Sequence, residues 1–480
     1  MTVAQETTMR ERADWINEEA IETILRAAAG CDAVHVREVL AKAREMRGLS
    51  PTDAAVLMAI DTPELEQELY DVGSYIKDEI YGSRLVLFAP LYVSNFCKNE
   101  CVYCAFRTKN KAIKRAALTQ EQIAEEVRAL IDQGHKRLLV VAGESYPDEE
   151  GLDYILRSVG TVYATKHGKG EIRRVNVNIA PLNVEDFRRL KAADIGTYQI
   201  FQETYHRATY AKMHVSGVKR DYDWRVTAPD RAMLAGIDDV GIGVLFGLYD
   251  WRFDLLAMMQ HIRHLEERFG VGPHTVSVPR LEPATGAPFA KKAPHTVTDH
   301  DFWKIVAIIR LAIPYTGMIM STRENAAVRR RTFAMGVSQI SAGSRTNPGG
   351  YTHDKPGCNG AGVAEKDGQF QLGDHRSLDE VVRDCAELGY IPSFCTACYR
   401  VGRTGADFMD LAKPGLIKHH CGPNAIASFY EYLLDYATSD TVAAGKKLIS
   451  DQMGQMDDAC RKNTQMLLTM LDQDKRDVFV

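Results

Sequence analysis

Between residues 85 and 341, short β-rich apolar runs recur eight times, separated by amphipathic helical stretches. The runs fall at 85–93, 137–142, 173–179, 197–202, 239–246, 274–279, 317–321 and 337–341. Strands covered on both faces read as continuous Val/Ile/Leu runs, and an intervening helix makes neighbouring strands parallel. Eight such units are the number that closes a (β/α)8 barrel of the TIM type, so the chain is expected to be α/β with that barrel. A doubly wound sheet is the competitor, and the strand count favours the barrel. The helix predicted over 119–133 opens on a capping box, Thr119 with Gln122.

The flanks read differently. Residues 1–80 pattern as an N-terminal helical extension, with Ile21, Ile24 and Leu25 at helical spacing and Ser50-Pro51-Thr52 as a helix start. The barrel is expected over 81–341. Residues 342–480 are expected to form a mainly helical C-terminal domain, entered through a Gly-, Asn- and Pro-rich stretch at 342–374 and helical at 377–389 and 423–445. With 59 Lys+Arg against 64 Asp+Glu, the net charge of −5 gives no footprint for nucleic acid or an anionic membrane. The first twenty residues hold no apolar signal segment, and the most apolar stretch, 305–320, is broken by Arg310 and Pro314. A cytoplasmic chain is expected.

That compartment keeps thiols reduced, so ten cysteines point away from structural disulfides. Cys31, Cys358, Cys385 and Cys460 are scattered and read as small hydrophobes. Six others form two groups, Cys97, Cys101 and Cys104, then Cys395, Cys398 and Cys421. The first group follows the first predicted strand, which in a barrel is the C-terminal face where active sites sit. Three thiolates can hold an iron–sulfur cube and leave one iron open, the mark of a catalytic metal. A zinc reading lacks a nearby fourth ligand, since the next histidine, His135, lies beyond a whole helix. In the second group, His419 and His420 adjoin Cys421, and spacing alone equally allows zinc held by three Cys and one His.

The motif Cys97-x3-Cys101-x2-Cys104, with Tyr103 before its third cysteine and a barrel around it, resembles the radical S-adenosylmethionine superfamily. The resemblance implies a [4Fe–4S] cluster on Cys97, Cys101 and Cys104, whose open iron chelates S-adenosylmethionine, with Tyr103 beside it. It further implies that Gly143 and Glu144 meet the methionine amino group, Glu203 the ribose hydroxyls and Arg225 the methionine carboxylate. Ala142 stands where the family has a first glycine.

Stretches such as Gln202-Glu203-Thr204-Tyr205-His206 and Ser321-Thr322-Arg323-Glu324 resemble the aromatic amino-acid lyase branch of that superfamily. Its two tyrosine lyases, one of thiamine biosynthesis and one of [FeFe]-hydrogenase maturation, split tyrosine between Cα and Cβ to p-cresol and dehydroglycine. Arg323, with Ser321 and Glu324, is the candidate catalytic group, because a guanidinium fork suits an amino-acid carboxylate. The Cx2C-x22-C pattern of Cys395, Cys398 and Cys421 resembles the hydrogenase-maturation lyase. That resemblance implies a second [4Fe–4S] cluster, an additional labile iron with His274 among its ligands, and conversion of dehydroglycine to carbon monoxide and cyanide on iron for assembly of the hydrogenase H-cluster. It also implies L-tyrosine as substrate, a flavodoxin- or ferredoxin-type electron donor and downstream hydrogenase maturation proteins as partners. The alternatives are the 2-iminoacetate synthase of thiamine biosynthesis and a non-catalytic iron–sulfur carrier.

Overall fold

A computed structural model describes residues 12–145, 151–353, 366–413 and 416–480. Its core is a ring of eight parallel strands: β1 Arg84–Ser94, β2 Arg137–Ala142, β3 Arg174–Asn178, β4 Tyr198–Glu203, β5 Val240–Val244, β6 Thr275–Ser277, β7 Gly317–Met320 and β8 Gln339–Ser341. The ring closes where β8 pairs with the middle of β1, Val86 opposite Gln339 and Phe88 opposite Ser341. The capping box of Thr119 and Gln122 starts the helix Gln120–Asp132, and a second box, Ser50 with Asp53, starts Pro51–Met58. Four helices between Glu18 and Tyr81 precede the barrel. The apolar stretch at 305–320 is the end of the barrel helix Asp299–Ala312 followed by β7. Buried Arg310 there donates to the carbonyls of Pro314 and Thr316, which end that helix and lead into the strand. No described helix is long and apolar enough to cross a membrane.

A ninth strand lies outside the ring and is absent from the predicted pattern. β9, Ile391–Ser393, pairs parallel with the first residues of β1, from Arg84 opposite Ile391 to Val86 opposite Ser393. Three residues with Pro392 among them carry no readable period. Its placement fixes the geometry of the whole molecule. Cys395 leaves β9 at the foot of β1, whereas Cys97 leaves the top of β1 after Ser94. At a rise of about 3.3 Å per residue, β1 separates the two ends by roughly 33 Å.

The helix expected over 423–445 is two helices, Lys418–Asp435 and Ser439–Gln455. Thr438 breaks the run: its Oγ1 donates to Asp379 Oδ2 at 2.7 Å, which anchors the turn before the second helix. A last helix, Asp458–Asp472, packs back on the first. Cys385 is buried, Cys31 is half-buried, and Cys358 lies outside the described residues.

Candidate active site

Alternate residues of a strand face the same side, and here the inward rows of the barrel build the site. Gln199, Phe201 and Glu203 of β4 line a cavity of about 190 Å³ at the C-terminal mouth, as do Phe88, Pro90 and Tyr92 of β1. Cys97, Cys101 and Cys104 form part of its wall, brought there by the loop after β1. Three thiols on one cavity wall are the donor set of an iron–sulfur cube with one iron left open. Burial pushes all three thiols up, Cys104 to about 11. Loading a metal there therefore has to displace protons.

Beside the cysteines, four largely buried charged groups satisfy one another. Arg225 Nη1 donates to Glu144 Oε1 at 2.8 Å and its Nε to the carbonyl of Phe201 at 2.7 Å. Lys219 Nζ donates to Glu203 Oε1 at 2.5 Å, and Asn99 Nδ2 to Glu144 Oε2 at 2.7 Å. Burial would push the Glu144 carboxyl up, but Arg225 and Lys219 hold it below the usual carboxylate range. Two cations and two anions leave no net charge. A zwitterionic amino-acid moiety can therefore exchange pairs with this quartet, its ammonium meeting a carboxylate and its carboxylate a cation, without leaving a buried charge unpaired.

Backbone features hold these side chains in place. Gly143 follows β2, where a Cβ would lie 2.2 Å from the Phe96 carbonyl oxygen, so only glycine fits. Glu203 ends β4 with φ of 74°, at a shift in pairing register after Phe201. A non-glycine residue held in the left-handed region is strained, and such strain gathers at sites that aim a side chain. Gln202, one residue earlier, is buried off the cavity and its side-chain amide has no partner among the described residues. Tyr103 also lines the cavity; its hydroxyl shares a 2.9 Å hydrogen bond with His214 Nε2.

Across the cavity, Arg323 and Ser321 line the wall contributed by β7. The Arg323 guanidinium lies 3.2 Å over the Phe370 ring and has no hydrogen-bonded partner among the described residues. Glu324 is different. It is buried off the cavity as the partner of Arg280, whose Nε donates to it at 2.9 Å, so the structure does not bring it to the candidate catalytic position. The carboxylate that does face Arg323 is Glu282, which sequence reasoning missed. Burial, with Glu324 nearby, pushes Glu282 up to about 7.

Lys219, Gln369 and Phe370 were missed as well. Gln369 and Phe370 lie in the last part of the Gly-rich stretch, and residues 366–374 reach the mouth: Tyr92 donates to Gln369 Oε1 at 2.8 Å, and Gly373 N to the Thr322 carbonyl at 2.9 Å. That stretch has no periodicity that would place it.

The second cysteine group sits at the opposite end. Cys395, Cys398 and Cys421 line a cavity of about 50 Å³ at the foot of the barrel, together with His274, Arg84 and Arg137. The Ala397 amide donates to Cys395 Sγ at 3.4 Å. Cys398 and Cys421 titrate together: the neighbouring Cys398 thiol, with help from Arg84 and Arg403, holds Cys421 below the usual thiol range against burial, while Cys398 is raised. His274 precedes β6, and its buried Nδ1 has no hydrogen-bond partner among the described residues, with Asp239 Oδ1 at 3.6 Å. An unpartnered imidazole facing three thiols is a donor set that suits iron. His420 also lines this cavity, whereas His419 does not.

A closed parallel barrel with three cysteines after its first strand and a balanced charged pocket beside them defines a class. The chain belongs to the radical SAM superfamily: residues 91–260 match that superfamily, and residues 277–391 match the Biotin and Thiamin Synthesis associated domain. Among solved structures, it is similar to HydG, a maturase of the [FeFe]-hydrogenase, at 48% identity and a TM-score of 0.92, covering 98% of this chain and 100% of that one. The HydG of Carboxydothermus hydrogenoformans is 38% identical with a TM-score of 0.80, over 96% of this chain and 99% of that one. The 2-iminoacetate synthase of Salmonella typhimurium is 33% identical over 64% of this chain and 79% of its own length.

Proposed function

We propose that the chain is a tyrosine lyase of hydrogenase maturation, which makes p-cresol and dehydroglycine at the barrel mouth and converts dehydroglycine to carbon monoxide and cyanide at the barrel foot. The observation that carries this reading is the second cysteine group with His274 around its own cavity, opposite a complete radical site. The extent of the likeness supports it: the HydG structure matches 98% of the chain, the 2-iminoacetate synthase 64%. A thiamine-pathway lyase would stop at dehydroglycine and has no use for the lower site. An iron–sulfur carrier has no use for the buried quartet of Glu144, Glu203, Arg225 and Lys219.

Cys97, Cys101 and Cys104 hold the [4Fe–4S] cluster that, with S-adenosylmethionine, supplies a 5′-deoxyadenosyl radical. Glu144, with Gly143 before it, accepts the methionine ammonium, Arg225 takes the carboxylate and Glu203 the ribose hydroxyls, with Tyr103 walling the pocket. Arg323 presents its free fork to the tyrosine carboxylate, with Ser321 adjacent, while Phe370 backs the guanidinium and residues 366–374 exclude water. One inward row of β1 serves both ends: Arg84 and Val86 face the lower cavity, Phe88, Pro90 and Tyr92 the upper. In this reading dehydroglycine travels between the two cavities along that row. At its foot Cys395, Cys398 and Cys421 hold a second [4Fe–4S] cluster, and His274 is a ligand to an additional labile iron. A flavodoxin- or ferredoxin-type donor supplies the electron, and downstream maturation proteins take the product.

An anaerobic assay with tyrosine, S-adenosylmethionine and dithionite tests the reading. All three of p-cresol, carbon monoxide and cyanide are expected. Formation of p-cresol with neither gas-phase carbon monoxide nor cyanide would return the chain to the thiamine-type reaction.

A further inference from the structure

His419, singled out in the sequence beside the second cysteine group, faces away from it. Its Nδ1 lies 3.4 Å from Cys460 Sγ and 3.5 Å from Asp457 Oδ2. Among the described residues, His419, Asp457 and Cys460 are the group of three metal-ligating side chains whose donor atoms all lie within 4.8 Å of one another. We propose that these three residues form a separate site for one divalent transition ion of the zinc or ferrous class, held by an imidazole, a carboxylate and a thiolate.

The separations match the chemistry. Bonds of about 2.0–2.1 Å to nitrogen and oxygen and about 2.3 Å to sulfur, at tetrahedral angles, put N···S near ~3.6 Å and N···O near ~3.4 Å. Two edges of that tetrahedron are already in place. The ligands are also fixed by other bonds. Asp457 caps the helix Asp458–Asp472, and its Oδ1 accepts the Cys460 amide at 2.8 Å, which leaves Oδ2 for an ion. Pro423 lies in the first turns of the helix Lys418–Asp435 and has no amide to offer the His419 carbonyl four residues back. That carbonyl instead faces the Cys460 thiol at 3.9 Å. A neutral imidazole with two anionic ligands cancels a 2+ charge. His419 and Asp457 are half exposed, at 59% and 52% for their side chains, so the fourth position opens to water. The ion would join the first turns of two helices, two residues from Cys421.

The test uses the protein with its clusters already loaded, so that the other cysteines are occupied. One equivalent of zinc sulfate, or in a second arm ferrous sulfate, is added anaerobically, unbound metal is removed by desalting, and metal per chain is counted. One extra ion per chain is expected. In the zinc arm, X-ray absorption is expected to show a single sulfur at about 2.3 Å. His419→Gln and Cys460→Ser should each weaken retention by more than the roughly 10- to 100-fold that loss of an outer-sphere partner costs. Their cluster iron content and p-cresol formation should stay at the unmodified level. His419→Gln alters an exposed side chain and keeps the proposal testable if Cys460→Ser folds poorly. Retention of either ion alone identifies which member of the class binds. No extra ion in the unmodified protein, or undiminished retention in His419→Gln, would overturn the site.

Discussion

The two cysteine groups occupy opposite ends of one strand and are built from different materials. At the mouth, three thiols adjoin a quartet of two acids and two bases that neutralise one another. At the foot, three thiols face Arg84, Arg137 and Arg403, with Asp239 as the acid lining that cavity. Arg84, Arg137 and Arg403 each keep a buried nitrogen without a hydrogen-bond partner among the described residues. The mouth thus suits a neutral zwitterion and the foot an anion. The difference also follows barrel logic: chemistry at the C-terminal ends of strands is the general arrangement, while Cys395 reaches the foot because β9 pairs beside the first residues of β1.

The largest expected effect falls on the mouth. Cys97→Ala, Cys101→Ala or Cys104→Ala should abolish cleavage of both S-adenosylmethionine and tyrosine. Substantial p-cresol from any of the three would separate this cysteine group from radical chemistry. Next comes the carboxylate clamp. Arg323→Lys keeps the charge but loses the planar fork, and a lost charge-assisted contact costs about 1.5–3 kcal/mol, roughly ten- to more than hundredfold in tyrosine affinity. Unchanged affinity with intact clusters would move the clamp to another residue.

His274→Ala sharpens the contrast from below. Both clusters should remain in the iron count and p-cresol formation should persist, while the labile iron signal disappears from the electron paramagnetic resonance spectrum. A retained signal would reassign that ligand. The smallest effect concerns Glu282. Its carboxyl is raised in the folded chain, so the native state binds more protons than the unfolded one between the usual carboxylate range and about pH 7. Stability should therefore fall as pH rises through that window, and Glu282→Gln should flatten the fall in melting temperature. An identical pH slope in the variant would show that Glu282 is not perturbed.

The eight ring strands were legible because strands buried on both faces keep a continuous apolar run between helical periods; 137–142 agrees with β2 to the residue. Cys97, Cys101, Cys104, Glu144, Glu203 and Arg225 were legible as a motif with companions at strand ends, and all of them line the upper cavity. Glu324 shows where that reasoning stops. It shares the Ser321–Glu324 stretch with Arg323, but the chain past β7 turns its side chain to Arg280. Lys219, in the short 3-10 helix Val218–Arg220, and Glu282, in a loop, come from segments whose sequence says nothing of where they return. Phe370 reaches the mouth only through tertiary hydrogen bonds, such as that from Gly373 N to Thr322 O. The foot was legible in composition but not in place, because three residues of β9 set its position.

The division of labour between mouth and foot is tested most directly by products of the Cys395→Ser/Cys398→Ser double variant. The cluster-loaded variant is assayed anaerobically beside the unmodified protein, with p-cresol, carbon monoxide and cyanide measured from the same reaction. Iron content should drop by the second cluster, p-cresol should form as before, cyanide should fall, and carbon monoxide should collapse. Carbon monoxide released at the unmodified rate would show that the foot is structural and that both products arise at the mouth.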